Sequence, residues 1–193
     1  MTAARKTDPG ASIAVGVSDH AGWAVLVTVD ASGTAIDRRR VELVEPDLPP
    51  MPHHHEGQRL PTSAAVQLVE WVTASAVRCA RARLEELCAE RDAALSAIAL
   101  RACPPLPPTI AERIASYRAM CVADWVMYRT ALADAATERG AAVHWYDPKA
   151  VLEAGDEEAT RRAIDEARRR FGPPWQKEHA MAMAAARAAV RAR

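Results

Sequence analysis

Four residues able to do chemistry stand side by side in one short stretch. Pro52 to Gln58 reads PHHHEGQ, and it places His53, His54, His55 and Glu56 together in a 193-residue chain that has six histidines. Imidazole nitrogens favour zinc, manganese or iron, whereas magnesium prefers oxygen and water. His54 and His55 therefore read as nitrogen ligands and Glu56 as the oxygen ligand of a metal cluster. The same run reads as a proline-flanked loop holding one structural histidine and two solvated ones. An expression tag does not fit, because three histidines are too few and they lie mid-chain.

Other ionisable groups stand apart from this run. Asp19 and His20 follow the first apolar segment, where both residue types tolerate a tight turn, and His20 reads either as a turn residue or as a ligand. Glu70 falls on the helical row Val66, Glu70, Thr73, Val77, Ala80, Leu84, either facing the site or reaching solvent at the boundary of the apolar stripe. Asp124, with Tyr117, Tyr128 and Arg129, interrupts an otherwise apolar helical pattern and suits an internal hydrogen-bonded or ion-paired network. Glu178 and His179 open the last, alanine-rich segment.

These groups must be positioned by a folded core, and the composition supports one. Half of the residues are apolar and 26% are charged, as in globular proteins and unlike disordered ones. Lys plus Arg equals Asp plus Glu, 25 against 25, so no overall field draws the chain to nucleic acid or anionic lipid. Any such attraction is local, and Arg161–Arg193, with nine basic and three acidic residues, is the candidate basic patch. Cys79, Cys88, Cys103 and Cys121 have no C-x-x-C spacing and read as buried free thiols. Neither a signal peptide nor a membrane-length apolar run is present, which points to the cytoplasm and away from a membrane partner.

The elements follow from periodicity and turn chemistry. Residues 12–18, 22–29 and 35–44 are expected to form a strand meander divided by SDHAG and DASG, the third strand at an edge. A proline-rich loop precedes a long helix from a Thr62 cap to about Glu90. ALSAIALRA is expected to be a central strand, Thr109 to about Arg139 a helix, AAVHWYD the fifth strand, and 156–170 and 175–193 two final helices. Residues 1–11 are expected to be a disordered tail, with one domain over 12–193.

This order resembles the ribonuclease H-like superfamily, and among its members the RuvC-type Holliday junction resolvases. GVSDHAGWAVLV, Gly16 to Val27, is similar to that family's first hairpin, which reads G-I-D-P-G followed by G-W/Y-A-V. HAMAMAAA, His179 to Ala186, is similar to its last-helix D-A-L-A-x-A, and DPKAVLEAG to the approach to that helix. The resemblance implies an α/β fold with a five-stranded mixed sheet in the order 3-2-1-4-5, flanked by helices. It also implies two divalent ions about 3.5–4 Å apart, held by carboxylates.

Carried onto this sequence, the motif's first carboxylate either has become Ser18 or, with the turn shortened, is Asp19 one position later, which is then the central metal ligand. His179 stands where the last-helix Asp would be, with Glu178 beside it, and Glu70 matches a metal-binding Glu on the first helix of ribonucleases H. The fourth strand, ALRACPP, supplies no acid. With the implied order, strands one, three, four and five end at one edge, where open α/β sheets bind ligands. The expected catalytic set is then Asp19, Glu70, Glu178 and His179, and the metal set Asp19, His54, His55, Glu56 and His179, for Mg or Mn or else Zn.

Two functions follow from the resemblance. One is a metal-dependent nuclease acting on nucleic acid, guided by Lys177, Arg187 and Lys149 of the C-terminal region. The other is a catalytically inactive ribonuclease H-like module that binds a protein, a nucleic-acid structure or a small ligand. A homodimer would concentrate the basic patch.

Overall fold

The computed structural model describes residues 11–151 and 157–192. Its centre is a five-stranded sheet built from β1 (Ser12–His20), β2 (Trp23–Asp30), β3 (Ala35–Glu42), β4 (Ala94–Arg101) and β5 (Ala142–Tyr146). The strand order is β3-β2-β1-β4-β5. Strands β1, β2 and β3 pair antiparallel, and β4 and β5 add in parallel to β1. This is the ribonuclease H-like sheet that the first hairpin and last helix implied. Of the expected tail, only Ala11 lies within the described residues, and its carbonyl accepts from the Ala94 N–H.

Helix α1 (Thr62–Arg91) and the pair α2 (Ile110–Ala115) and α3 (Tyr117–Glu138) supply the crossovers that parallel pairing requires. Helices α4 (Glu157–Phe171) and α5 (Lys177–Arg191) complete the chain. The α1 stripe Ala65, Val69, Val72, Ala76, Ala80, Leu84 and Leu87 is buried at helical spacing. Asp92 ends the helix in the left-handed region, φ 47°, with its N–H on the Ala89 and Cys88 carbonyls.

Side chains alternate across a strand, so each face has its own composition. Ile13, Val15, Val17, Leu26, Ile98 and Leu100 form one core with α1 and α3. Ala14, Val27, Ala97 and Ala99 form the other, with Met181 to Ala186 of α5. The second face is built from small residues, and there α5 comes within backbone contact of β1: a Cβ added at Gly16 would lie 1.8 Å from the Ala182 carbonyl oxygen. An alanine-rich helix permits that approach, with Met181 and Met183 filling the space around it.

Several local expectations are corrected. Asp19 and His20 belong to β1, paired with Ala24 and Trp23, and the turn is only Ala21–Gly22, with Gly22 at φ 80°. His20 is therefore a strand residue, stacked on Trp23 at 3.8 Å. Thr62 makes no cap: Pro61 holds the N-cap position of α1 without a side-chain bond. The helix expected over Thr109–Arg139 divides at Ser116, whose extended backbone ends α2 while its hydroxyl accepts from Ala119 N–H to start α3. Thr109 does cap α2, in a reciprocal box with Glu112. The four cysteines are free but half-buried. No described helix is long and apolar enough to cross a membrane.

Candidate functional site at the sheet edge

The carboxyl ends of β1, β4 and β5 bring together Asp19, the Ala102 carbonyl, Cys103 and Tyr146. At the centre is a buried ion pair. Arg129, projecting from α3, donates from Nε and Nη2 to Asp19 Oδ2, both at 2.8 Å, and from Nη1 to the Ala102 carbonyl at 3.2 Å. Asp19 is 6% exposed and Arg129 7%. Asp19 Oδ1 is buried with no hydrogen-bond partner among the described residues. Tyr146 closes the edge by donating from its hydroxyl to the Val17 carbonyl at 3.1 Å. Burial pushes the Tyr146 phenol above its ordinary range, and Asp19 adds to that. Burial also raises the Cys103 thiol, against the opposing pull of Arg129.

The histidine run is held elsewhere, against α3. The Asp124 carboxylate accepts three bonds: from the His53 backbone N–H at 3.0 Å, from the His53 ring Nδ1 at 2.8 Å, and from the His54 backbone N–H at 3.1 Å. Tyr128 donates to the Pro50 carbonyl at 2.9 Å. Gln58 donates to the carbonyls of His53 and Ile114, which ties the 3-10 turn Glu56–Arg59 to the end of α2. The loop PHHHEGQ is thus held to α3 by Asp124, through two backbone N–H groups and the His53 ring. Asp124, Tyr128 and Arg129, expected to share one internal network, are buried but bond separate partners, His53 and His54, the Pro50 carbonyl, and Asp19 with the Ala102 carbonyl, while Tyr117 is 73% exposed.

The candidate residues divide among separate places. His53 is buried, His54 half-buried and His55 exposed, the rings of the last two stacked at 4.8 Å. Glu56 is half-buried, with Oε2 lacking a partner among the described residues, and Glu70 is exposed on α1. His179 is buried in the first turn of α5, where its Nδ1 accepts from the Gln176 backbone N–H at 3.2 Å. Burial lowers the His179 imidazole below its ordinary range, assisted by Arg38. Glu178 is half-buried beside it. Arg187, expected to guide a phosphate backbone, is instead buried and donates to the Gly33 carbonyl.

Among the described residues, no three His, Cys, Asp or Glu side chains are close enough to hold a metal ion. Asp19, His54, His55, Glu56 and His179 are therefore not gathered into one cluster, and Asp19 Oδ2 already faces a guanidinium. This donor set does not fit a divalent ion, let alone two. The site can hold a buried carboxylate next to a fixed cation.

No protein-family model matches the chain, and no curated protein does. Among solved structures it is similar to Thermus thermophilus RuvC in complex with Holliday junction substrate, at 16% identity and a TM-score of 0.49, covering 91% of this chain and 90% of that one. It is also similar to a Thermus thermophilus RuvC structure at 15% identity and a TM-score of 0.47, covering 91% of each chain. The fold assignment rests on strand order and register, which stand without these likenesses.

Proposed function

We propose that this chain is a ribonuclease H-like module that binds nucleic acid without metal-dependent cleavage. The observation that carries this reading is the Arg129 guanidinium on Asp19. A nuclease of the implied type needs that carboxylate for a metal ion, and a buried ion pair with a fork of N–H donors competes directly for it. Binding requires none of this chemistry, since the phosphate backbone is held by exposed Lys and Arg. Arg161, Arg162, Arg168 and Arg169 are exposed on α4, and Lys177 and Arg191 on α5. Pairing of two copies would place two such sides on one nucleic acid.

The test is fluorescence anisotropy with labelled duplex and four-way-junction DNA, alongside cleavage assays in Mg or Mn. The expected outcome is binding without cleavage, weakening steeply with salt, and at least tenfold weaker in the double change Arg168→Glu, Arg169→Glu. Cleavage that disappears in Asp19→Asn would restore the nuclease reading. Absence of any DNA binding at low salt would remove nucleic acid as the partner.

A further inference from the structure

Between α1, α2, α3 and the segment after β4 lies a cavity of about 380 Å³, walled by Val69, Leu106, Ile110 and Met127, with His53 also lining it. Its size falls in the range of small-molecule sites, and like them it combines apolar walls with a few polar groups, here His53, Thr73, Arg113, Thr130 and Asp134. His53 is the polar group that matters. It is 1% exposed, and its Nδ1 faces the Asp124 carboxylate at 2.8 Å. A carboxylate only accepts there, so Nδ1 carries the proton, and in the neutral imidazole Nε2 is the ring's acceptor. Nε2 is buried and has no partner among the described residues. A buried acceptor without a donor is unfavourable, and a ligand donor would relieve it.

We propose that this cavity is a binding site for a small, neutral, apolar molecule carrying one hydroxyl, which donates to His53 Nε2. Asp124 behind the ring fixes the tautomer and disfavours an anion at the floor. At the mouth, Arg113 turns Nε and Nη2 onto the Pro107 and Pro108 carbonyls, and this holds the α2 wall in place. The site stands independently of the proposed nucleic-acid binding: it lies on the α1 and α3 side of the sheet, while the basic residues of that proposal are on α4 and α5.

The experiment is isothermal titration of the full chain with 2-naphthol and, in parallel, with 2-methoxynaphthalene, which keeps the apolar body and lacks the donor. The expected result is that 2-naphthol binds at least tenfold more tightly. Thr130 lines the cavity from an exposed position on α3, so Thr130→Trp should block entry without disturbing the dyad and weaken 2-naphthol at least tenfold. His53→Phe should abolish the preference for the hydroxyl compound. Should that variant fail to fold, the ring-nitrogen resonance of His53 Nε2, followed by ¹⁵N NMR in the unaltered chain, should shift on adding 2-naphthol and stay in place with the ether. Equal affinity for the two compounds, no binding of 2-naphthol, or undiminished binding by Thr130→Trp would each overturn the proposal. Loss of DNA binding with naphthol binding intact would leave it standing.

Discussion

Arg129 and Asp19 illustrate how a single residue decides what a carboxylate can do. Both groups are almost fully buried, so removing one leaves the other charge without compensation. Arg129→Met is expected to destabilise the fold by about 3–5 kcal/mol, read from urea denaturation. Adding Asp19→Leu to it should recover most of that loss, because an apolar pair of similar volume replaces two desolvated charges. An effect below about 1 kcal/mol for the single change would mean that the pair behaves as a solvated surface bridge. His179 gives a second test at this scale. Its folded-state affinity for protons is lowered by burial first and by Arg38 and His20 next, against Glu178. The unfolded chain therefore binds the proton more readily, and stability should fall as pH drops below about 6.5. In His179→Gln the urea midpoint should lose part of that dependence between pH 7 and 5. Asp124, Tyr128 and Arg129 were conspicuous in the sequence as polar residues in an apolar helix, but each meets a partner 71 to 110 positions away. Periodicity names such residues and says nothing of whom they meet.

At the scale of elements, the contact of α5 with β1 is the tightest constraint. Gly16 has no room for a methyl group because the nearest atoms are the Ala182 backbone, which cannot rotate away as a side chain would. Gly16→Ala should cost more than about 3 kcal/mol, beyond the usual range for overpacking, and circular dichroism melting would record a large loss of stability. A change of only a few tenths of a kcal/mol would show that α5 can slide. The run of alanines at 180, 182 and 184–186 announced a close approach, and the helix does make one. The break at Ser116 was less legible, since the apolar pattern continues across it and only the Ser hydroxyl cap marks the restart. The shortened turn at Ala21–Gly22 had a similar cause: Asp19 and His20 look like turn residues by type, yet cross-strand pairing with Ala24 and Trp23 keeps them extended.

Across the whole molecule, the order of elements and the two crossovers were readable because they depend on hydrophobic runs and on the handedness of parallel connections. The shared edge was readable for the same reason. Which side chains would converge on it was not. His53 to Glu56 leave β3 and are drawn by Asp124 onto α3, and His179 turns back on Gln176. Zero net charge leaves no overall field to attract nucleic acid, so the contact proposed through α4 and α5 would be local, and its salt dependence should reflect only the few phosphates reached from there.

The counter-ion of Asp19 is covalently part of the polypeptide. Its local concentration is set by folding and is indifferent to chelators or to the cell's mineral supply. The charge of Asp19 is therefore balanced as soon as the chain folds, by a group that cannot diffuse away.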